Sequence, residues 1–200
     1  MAETKTERLF ELIRRKLVVR PRDLEHARIP RTYLNRIAER GQLQRIERGL
    51  YTAEFLPASE HISLLEVSRR VPKGVICLLS ALNFHKIGTQ VPHEVWIAID
   101  VKGWEPRVTS PAVRVVRFSG KALHFGIQDK QVRGGKIRVF NAAKTIADCF
   151  KFRNKIGLDV ALEALRDSYR QKKATMTQLW EAAEVCRVAN VMRPYLESLR

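Results

Sequence analysis

Apolar residues at Leu9, Phe10, Ile13 and Leu17 recur at the spacing of one helix face and predict an amphipathic helix over residues 4–17. Val18-Val19 leaves that pattern. Pro21 then opens a short helix over 21–28, at the first helical position, where a missing N–H costs little. Ile29-Pro30 closes it, because the residue before proline is pushed out of the α region. A third helix, 31–40, carries the stripe Leu34, Ile37, Ala38 and ends at Gly41. Residues 43–47 alternate as a strand, Arg48-Gly49 turns, and Leu50-Tyr51-Thr52 returns. Helix, helix, turn, helix, hairpin is the order of a winged helix-turn-helix.

Residues 55–59 read as a linker, and the remainder as a second unit. A helix over 59–70 has Ser59 as its N-cap, and a strongly apolar helix spans 74–86. Strands are expected at 94–100, 112–118, 122–128 and 136–140, the last entered through a Gly134-Gly135 turn. Asn141 caps a helix reaching about residue 152. Helices at 158–172, 177–187 and 189–199 follow, with Pro194 kinking the last. The expected fold class is α+β: a winged helix-turn-helix domain over 1–57, then a mixed α/β domain over 58–200 ending in a helical bundle.

Charge sharpens this picture. The 200 residues hold 37 Lys+Arg against 21 Asp+Glu, a formal net charge of +16. Basicity on that scale favours polyanions, nucleic acid first. It is not confined to a tail: residues 1–57 hold 13 basic and 8 acidic side chains, and residues 101–140 hold 9 and 2. No apolar run approaches the length of a membrane span, and Cys77, Cys149 and Cys186 form no CxxC or disulfide framework. A reducing cytoplasm is the expected location, with no membrane partner.

The third helix turns Arg31, Thr32, Tyr33, Asn35, Arg36 and Arg40 away from its apolar stripe. Arg is bidentate to guanine and Asn to adenine, and Thr and Tyr reach phosphates. Backbone N–H groups at the start of this helix are further candidates for phosphate. Arg45 and Arg48 bracket the hairpin tip and are the expected backbone contacts, while Tyr51 is expected to pack beneath the helices. The plainer alternative is a solvated helix face; the element order favours DNA. Arg114, Arg117, Arg133, Lys136 and Arg138 form a candidate second basic surface, whose plainer alternative is the polar face of a half-buried sheet.

Catalytic signals are weak. Asp100-Val101-Lys102 follows a strand, as half of a metal-dependent nuclease signature does, but residues 67–93 supply no carboxylate to complete it. Ser80 and His85 are five apart on one helix, which does not bring hydroxyl to imidazole. The five histidines show no metal spacing, and no Walker or GxGxxG pattern occurs. No catalytic residue, cofactor or metal is expected, and the chain reads as a non-enzyme.

Four segments stand in order along the chain: Glu47-Arg48-Gly49-Leu50-Tyr51, Ser80-Ala81-Leu82-Asn83-Phe84-His85, Pro92 through Ile99, and Phe140 through Asp148. Together they resemble the AbiEi-type antitoxins of bacterial abortive-infection, type IV toxin–antitoxin systems. In the last, Asn141-Ala142-Ala143-Lys144 departs from the family's Ser/Pro/Glu/Arg run. Lys144 and Asp148 remain as an i,i+4 pair, expected to be structural and exposed to screening. The resemblance implies an antitoxin that represses its own operon by binding inverted repeats in double-stranded DNA. It also implies that the second domain counters a nucleotidyltransferase-like toxin, in many cases without a stable complex. A protein that is a monomer in solution and pairs on DNA fits two half-sites. The alternatives are a stand-alone transcriptional regulator whose second domain senses a ligand in a closed apolar pocket or binds further nucleic acid, and an enzyme acting on nucleic acid through Asp100.

Overall fold

A computed structural model describes residues 4–47, 49–52 and 61–199. The expected linker, the Ser59 cap and Arg48 lie outside the described residues. The fold is mixed α and β. It divides into two compact units, residues 1–66 with 131–136, and residues 67–130 with 137–200.

The first unit opens with α1, Lys5–Lys16. Thr4 caps it: its hydroxyl accepts from the Glu7 N–H, and the Glu7 carboxylate accepts from the Thr4 N–H. That contact holds the Glu7 carboxyl below its ordinary range. Two strand residues follow as β1, Val18–Val19. Pro21 starts α2, Pro21–His26, and Asp23 receives both the Arg20 N–H and the Lys16 ammonium. Helix α3, Thr32–Glu39, lies between Arg31 and a left-handed Gly41. Strands β2, Gln44–Glu47, and β3, Leu50–Thr52, follow, joined through Gly49 at φ +76°. β3 is the middle strand, antiparallel to both β1 and β2. The core joins Leu9 and Ile13 of α1, Leu24 of α2, Leu34 and Ile37 of α3, and Tyr51 of β3.

Helix α4, Ile62–Arg70, leads toward the second unit. The expected single helix over 74–86 is divided there. Val75–Ile76 forms β4, Cys77 is extended, and α5 begins at Leu78 and ends at His85. The β-branched pair fills the centre of a five-stranded sheet of order β6-β5-β4-β8-β7, comprising β5 (Val95–Asp100), β6 (Val113–Phe118), β7 (Ile127–Val132) and β8 (Gly135–Phe140). β4 runs antiparallel to β5 and parallel to β8, and β5 runs parallel to β6. The strand expected at 122–128 is instead α6, Lys121–His124, followed by the start of β7.

Helix α7, Ala142–Lys151, has Asn141 as its N-cap, and every residue from Ala142 to Phe150 is buried. It packs against α5 and against α9 (Leu158–Arg170), α10 (Met176–Val185) and α11 (Ala189–Glu197); the short α8, Arg153–Ile156, links it to α9. Thr175 caps α10 with a reciprocal Gln178 contact. Ser80 of α5 receives the Trp96 N–H at 2.9 Å, which ties that helix to β5.

Candidate nucleic-acid interface

The apolar stripe of α3 seats it on the first unit's core through Leu34 and Ile37, both fully buried. Its other side then faces solvent by helical periodicity. Arg31, Thr32, Asn35, Arg36 and Arg40 are all exposed.

Asn35 Oδ1 accepts a hydrogen bond at 3.0 Å from the hydroxyl of Tyr51, whose ring is buried. The contact fixes the orientation of the amide. Tyr33 does not stand with the exposed set. It is half-buried against the core, and the Arg36 guanidinium lies 4.3 Å from its ring centroid. Tyr33 thus supports Arg36 rather than projecting freely. Arg31 pairs with Glu25 of α2, both side chains largely exposed, so the pair exchanges readily for a phosphate. Arg45 is exposed on β2, and Arg48 lies outside the described residues.

The N–H groups of Tyr33 and Leu34 donate to the carbonyls of Pro30 and Arg31, at 3.0 Å each. Those two donors are therefore engaged at the start of α3.

Basic residues on α1 carried no signal as a site in the sequence. Arg8, Arg14 and Arg15, with Glu11, line a cleft of about 570 Å³ that also reaches Ala27. They read as the solvent face of an amphipathic helix, and only the neighbouring α2 end makes that face concave.

The five residues of the candidate second basic surface do not share one unit. Arg133 and Lys136 group with the first unit; Arg114, Arg117 and Arg138 belong to the second. Arg114 and Arg117 lie on edge strand β6, and Arg138 on β8, three strands away. Arg114 Nε meets Glu94 at 2.5 Å and stacks on Trp96. Arg117 donates to the carbonyls of Gly103 and Val101 and pairs with Glu105. Arg138 donates to the Lys73 carbonyl at 3.3 Å.

Other titratable groups have structural partners. Asp100 Oδ1 accepts the Lys102 N–H at 2.7 Å as a turn residue. The His85 ring contacts the Phe140 carbonyl at 2.7 Å, and burial holds its pKa below the ordinary value. Lys144 and Asp148 do form their i,i+4 pair, but both side chains are fully buried, so the expectation of an exposed, screened pair is corrected. α7 is covered on all sides, which the one-dimensional pattern does not reveal. Burial pushes the Asp148 carboxyl up, against the pull of Lys144. Among the described residues no three His, Cys, Asp or Glu side chains converge as a metal site. No helix among them is long and apolar enough to cross a membrane.

Comparison with known families matches residues 7–53 to the family described as "Transcriptional regulator, AbiEi antitoxin". The match runs from α1 through β3. It supports the resemblance to AbiEi-type antitoxins read from the sequence. That family is not an enzyme family. No curated protein matches the chain.

Proposed function

We propose, from the match of residues 7–53 to the AbiEi antitoxin regulator family, that this chain is a DNA-binding antitoxin that represses its own operon. In this reading α1–α3 and the β1–β3 sheet are a winged helix-turn-helix. α3 enters the major groove, and Arg31, Thr32, Asn35 and Arg36 read base edges, with Tyr33 supporting Arg36. Arg40, Arg45 and Arg48 sit on phosphates and set the register. Two molecules occupy two inverted half-sites. Residues 58–200 counter a nucleotidyltransferase-like toxin. Arg114, Arg117, Arg133, Lys136 and Arg138 act in more than one place rather than as one patch.

The observation that carries this reading is the exposed polar side of α3 within the segment that matches the regulator family. The cleft of about 650 Å³ in the second unit, where the ligand-sensing alternative would place its ligand, is bordered by charged side chains, among them Asp159, Glu163, Arg166 and Arg170.

Two assays test the proposal. In the first, Arg36→Ala is compared with the unaltered chain on DNA from upstream of its own operon. Loss of ~1–3 kcal/mol on that DNA, with smaller loss on unrelated DNA, is expected; equal losses on both would remove α3 from base readout. In the second, a nucleotidyltransferase-like protein encoded alongside arrests growth, and the full chain or residues 58–200 is co-expressed. Rescue by both, but not by residues 1–57, is the expected pattern. No rescue by well-expressed full chain would end the antitoxin reading for that pair.

A further inference from the structure

Strands β5 and β6 are parallel, with Asp100 paired to Phe118, and the Val101 N–H donates to the Phe118 carbonyl at 2.9 Å. The segments that follow the two strands therefore start side by side at one end of the sheet. The carboxyl ends of parallel strands are where open α/β sheets commonly take polar ligands.

The segment after β5 carries Trp104, whose side chain is 97% exposed. An indole left wholly in water offers a large apolar face to an incoming partner. Its loop is nevertheless braced: Arg117 Nη1 donates to the Gly103 carbonyl at 2.8 Å, and Nη2 meets Glu105 at 3.3 Å. Asp100 is likewise occupied by the Lys102 N–H. Asp100 is thus engaged within the loop and Glu105 with Arg117 of β6, while Lys102 and Arg107, which flank Trp104 in sequence, are exposed.

The segment after β6 leads to Lys121, which lines a cleft of about 560 Å³ together with Lys151 and Arg187. Among the described residues that line it, Glu184 is the one acid. None of the three cations forms a hydrogen bond or ion pair through its side chain with another described residue. Three cations around one concavity repel one another and favour an anion between them.

We propose that this end of the second unit binds single-stranded nucleic acid. A base stacks on Trp104, Lys102 and Arg107 meet the adjoining phosphates, and the Lys121–Lys151–Arg187 cleft takes a further phosphate. A protruding indole suits an unpaired base, because a base inside a duplex has both faces already stacked. Cations beside the indole and in a separate cleft suit a strand with several phosphates. The inference concerns residues outside the operator-reading helix and stands independently of the proposed repressor role.

The test titrates the full chain with a single-stranded oligouridylate of about 12 nucleotides. Binding is followed by tryptophan fluorescence and by anisotropy of a labelled strand. Quenching is expected. Trp104→Ala should lose most of the quench and bind roughly 5- to 100-fold more weakly. The triple variant K121A/K151A/R187A should also bind more weakly, with a salt dependence shallower by about one unit. Operator duplex binding by Trp104→Ala should match the unaltered chain, which separates this inference from the repressor reading. Unchanged oligouridylate affinity in Trp104→Ala, with folding verified by circular dichroism, would overturn the proposal. So would uridine monophosphate quenching as strongly as the strand at equal concentration, which would make this a free-nucleotide site. Equal competition by a duplex of the same length would overturn it as well, leaving only a general polyanion surface.

Discussion

Lys144 and Asp148 form an ion pair sealed inside the second unit, with the ammonium 2.6 and 2.5 Å from the two carboxylate oxygens and both side chains at zero exposure. Further groups complete the solvation. The Lys144 ammonium lies 4.2 Å from the Phe140 ring centroid and 4.6 Å from that of Phe118, and the Cys186 thiol donates to Asp148 Oδ1 at 3.4 Å. Removing two charges from water costs several kcal/mol per ion, so the pair is held by mutual compensation rather than by surplus attraction.

Breaking one side of this pair should therefore be far worse than removing both. Asp148→Asn or Lys144→Met alone strands a buried group and should cost ~3–5 kcal/mol in urea unfolding. That is a large share of the ~5–15 kcal/mol typical of a whole domain. The double variant K144M/D148L should recover most of the loss. If each single variant is as mild as the double, the pair is not buried as described.

The Tyr51–Asn35 contact makes a prediction about DNA rather than stability. Tyr51→Phe keeps the buried ring and removes the hydroxyl that orients the Asn35 amide. Operator affinity should fall by about 0.5–1.5 kcal/mol, the net worth of one hydrogen bond. Asn35→Ala should cost ~1–3 kcal/mol and relax preference at one base pair. Quantitative footprinting on the operator and on single-base variants reads both. A Tyr51→Phe variant weaker than Asn35→Ala would show that Tyr51 acts through folding instead.

Much of the first unit was legible because its elements are short and separately punctuated: Thr4, Pro21, Pro30 and Gly41 each mark a boundary, and the stripe of α3 fixes its exposed side. β1 was not, since two valines carry no period and their partner Tyr51-Thr52 lies over thirty residues away. In the second unit the run from Val75 to Leu82 is apolar except for Ser80, so nothing local divides strand from helix; the division comes from the neighbours β5 and β8. The spacing of Lys144 and Asp148 was visible, but their burial depends on α5, α9, α10 and α11 covering α7. The Asn35–Tyr51 contact and the placement of Trp104 likewise depend on pairings between strands.

The three thiols should be inert in the folded chain. Cys77, Cys149 and Cys186 are all buried. Burial pushes the Cys186 pKa up to about 12, and Cys77 and Cys149 upward as well, with the Asp148 charge adding to each. Since the thiolate is the reactive form, a maleimide at neutral pH should label none of them over the time in which it labels all three in denaturant. Rapid labelling of Cys186 in the native protein would contradict the closed environment around Asp148.

Asp167 on α9 predicts part of the acid response. Its carboxylate accepts the Gly88 N–H at 2.8 Å, the Gln171 amide at 2.7 Å and the Arg170 guanidinium at 2.7 Å. The Gly88 N–H is the main reason its folded pKa lies below the ordinary 3.8. A depressed folded pKa means that the unfolded chain binds this proton more tightly. Stability from Asp167 is thus present above 3.8 and is lost as pH falls through the lower folded value. Asp167→Asn removes the titration while nearly preserving shape. Its unfolding free energy should depend less steeply on pH below that of the unaltered Asp167 onset, while the two profiles run parallel near neutrality with the variant less stable. Thermal or urea melts between neutral pH and the acid limb measure both features, and superimposable acid limbs would show that the Gly88 contact does not hold the carboxylate in solution.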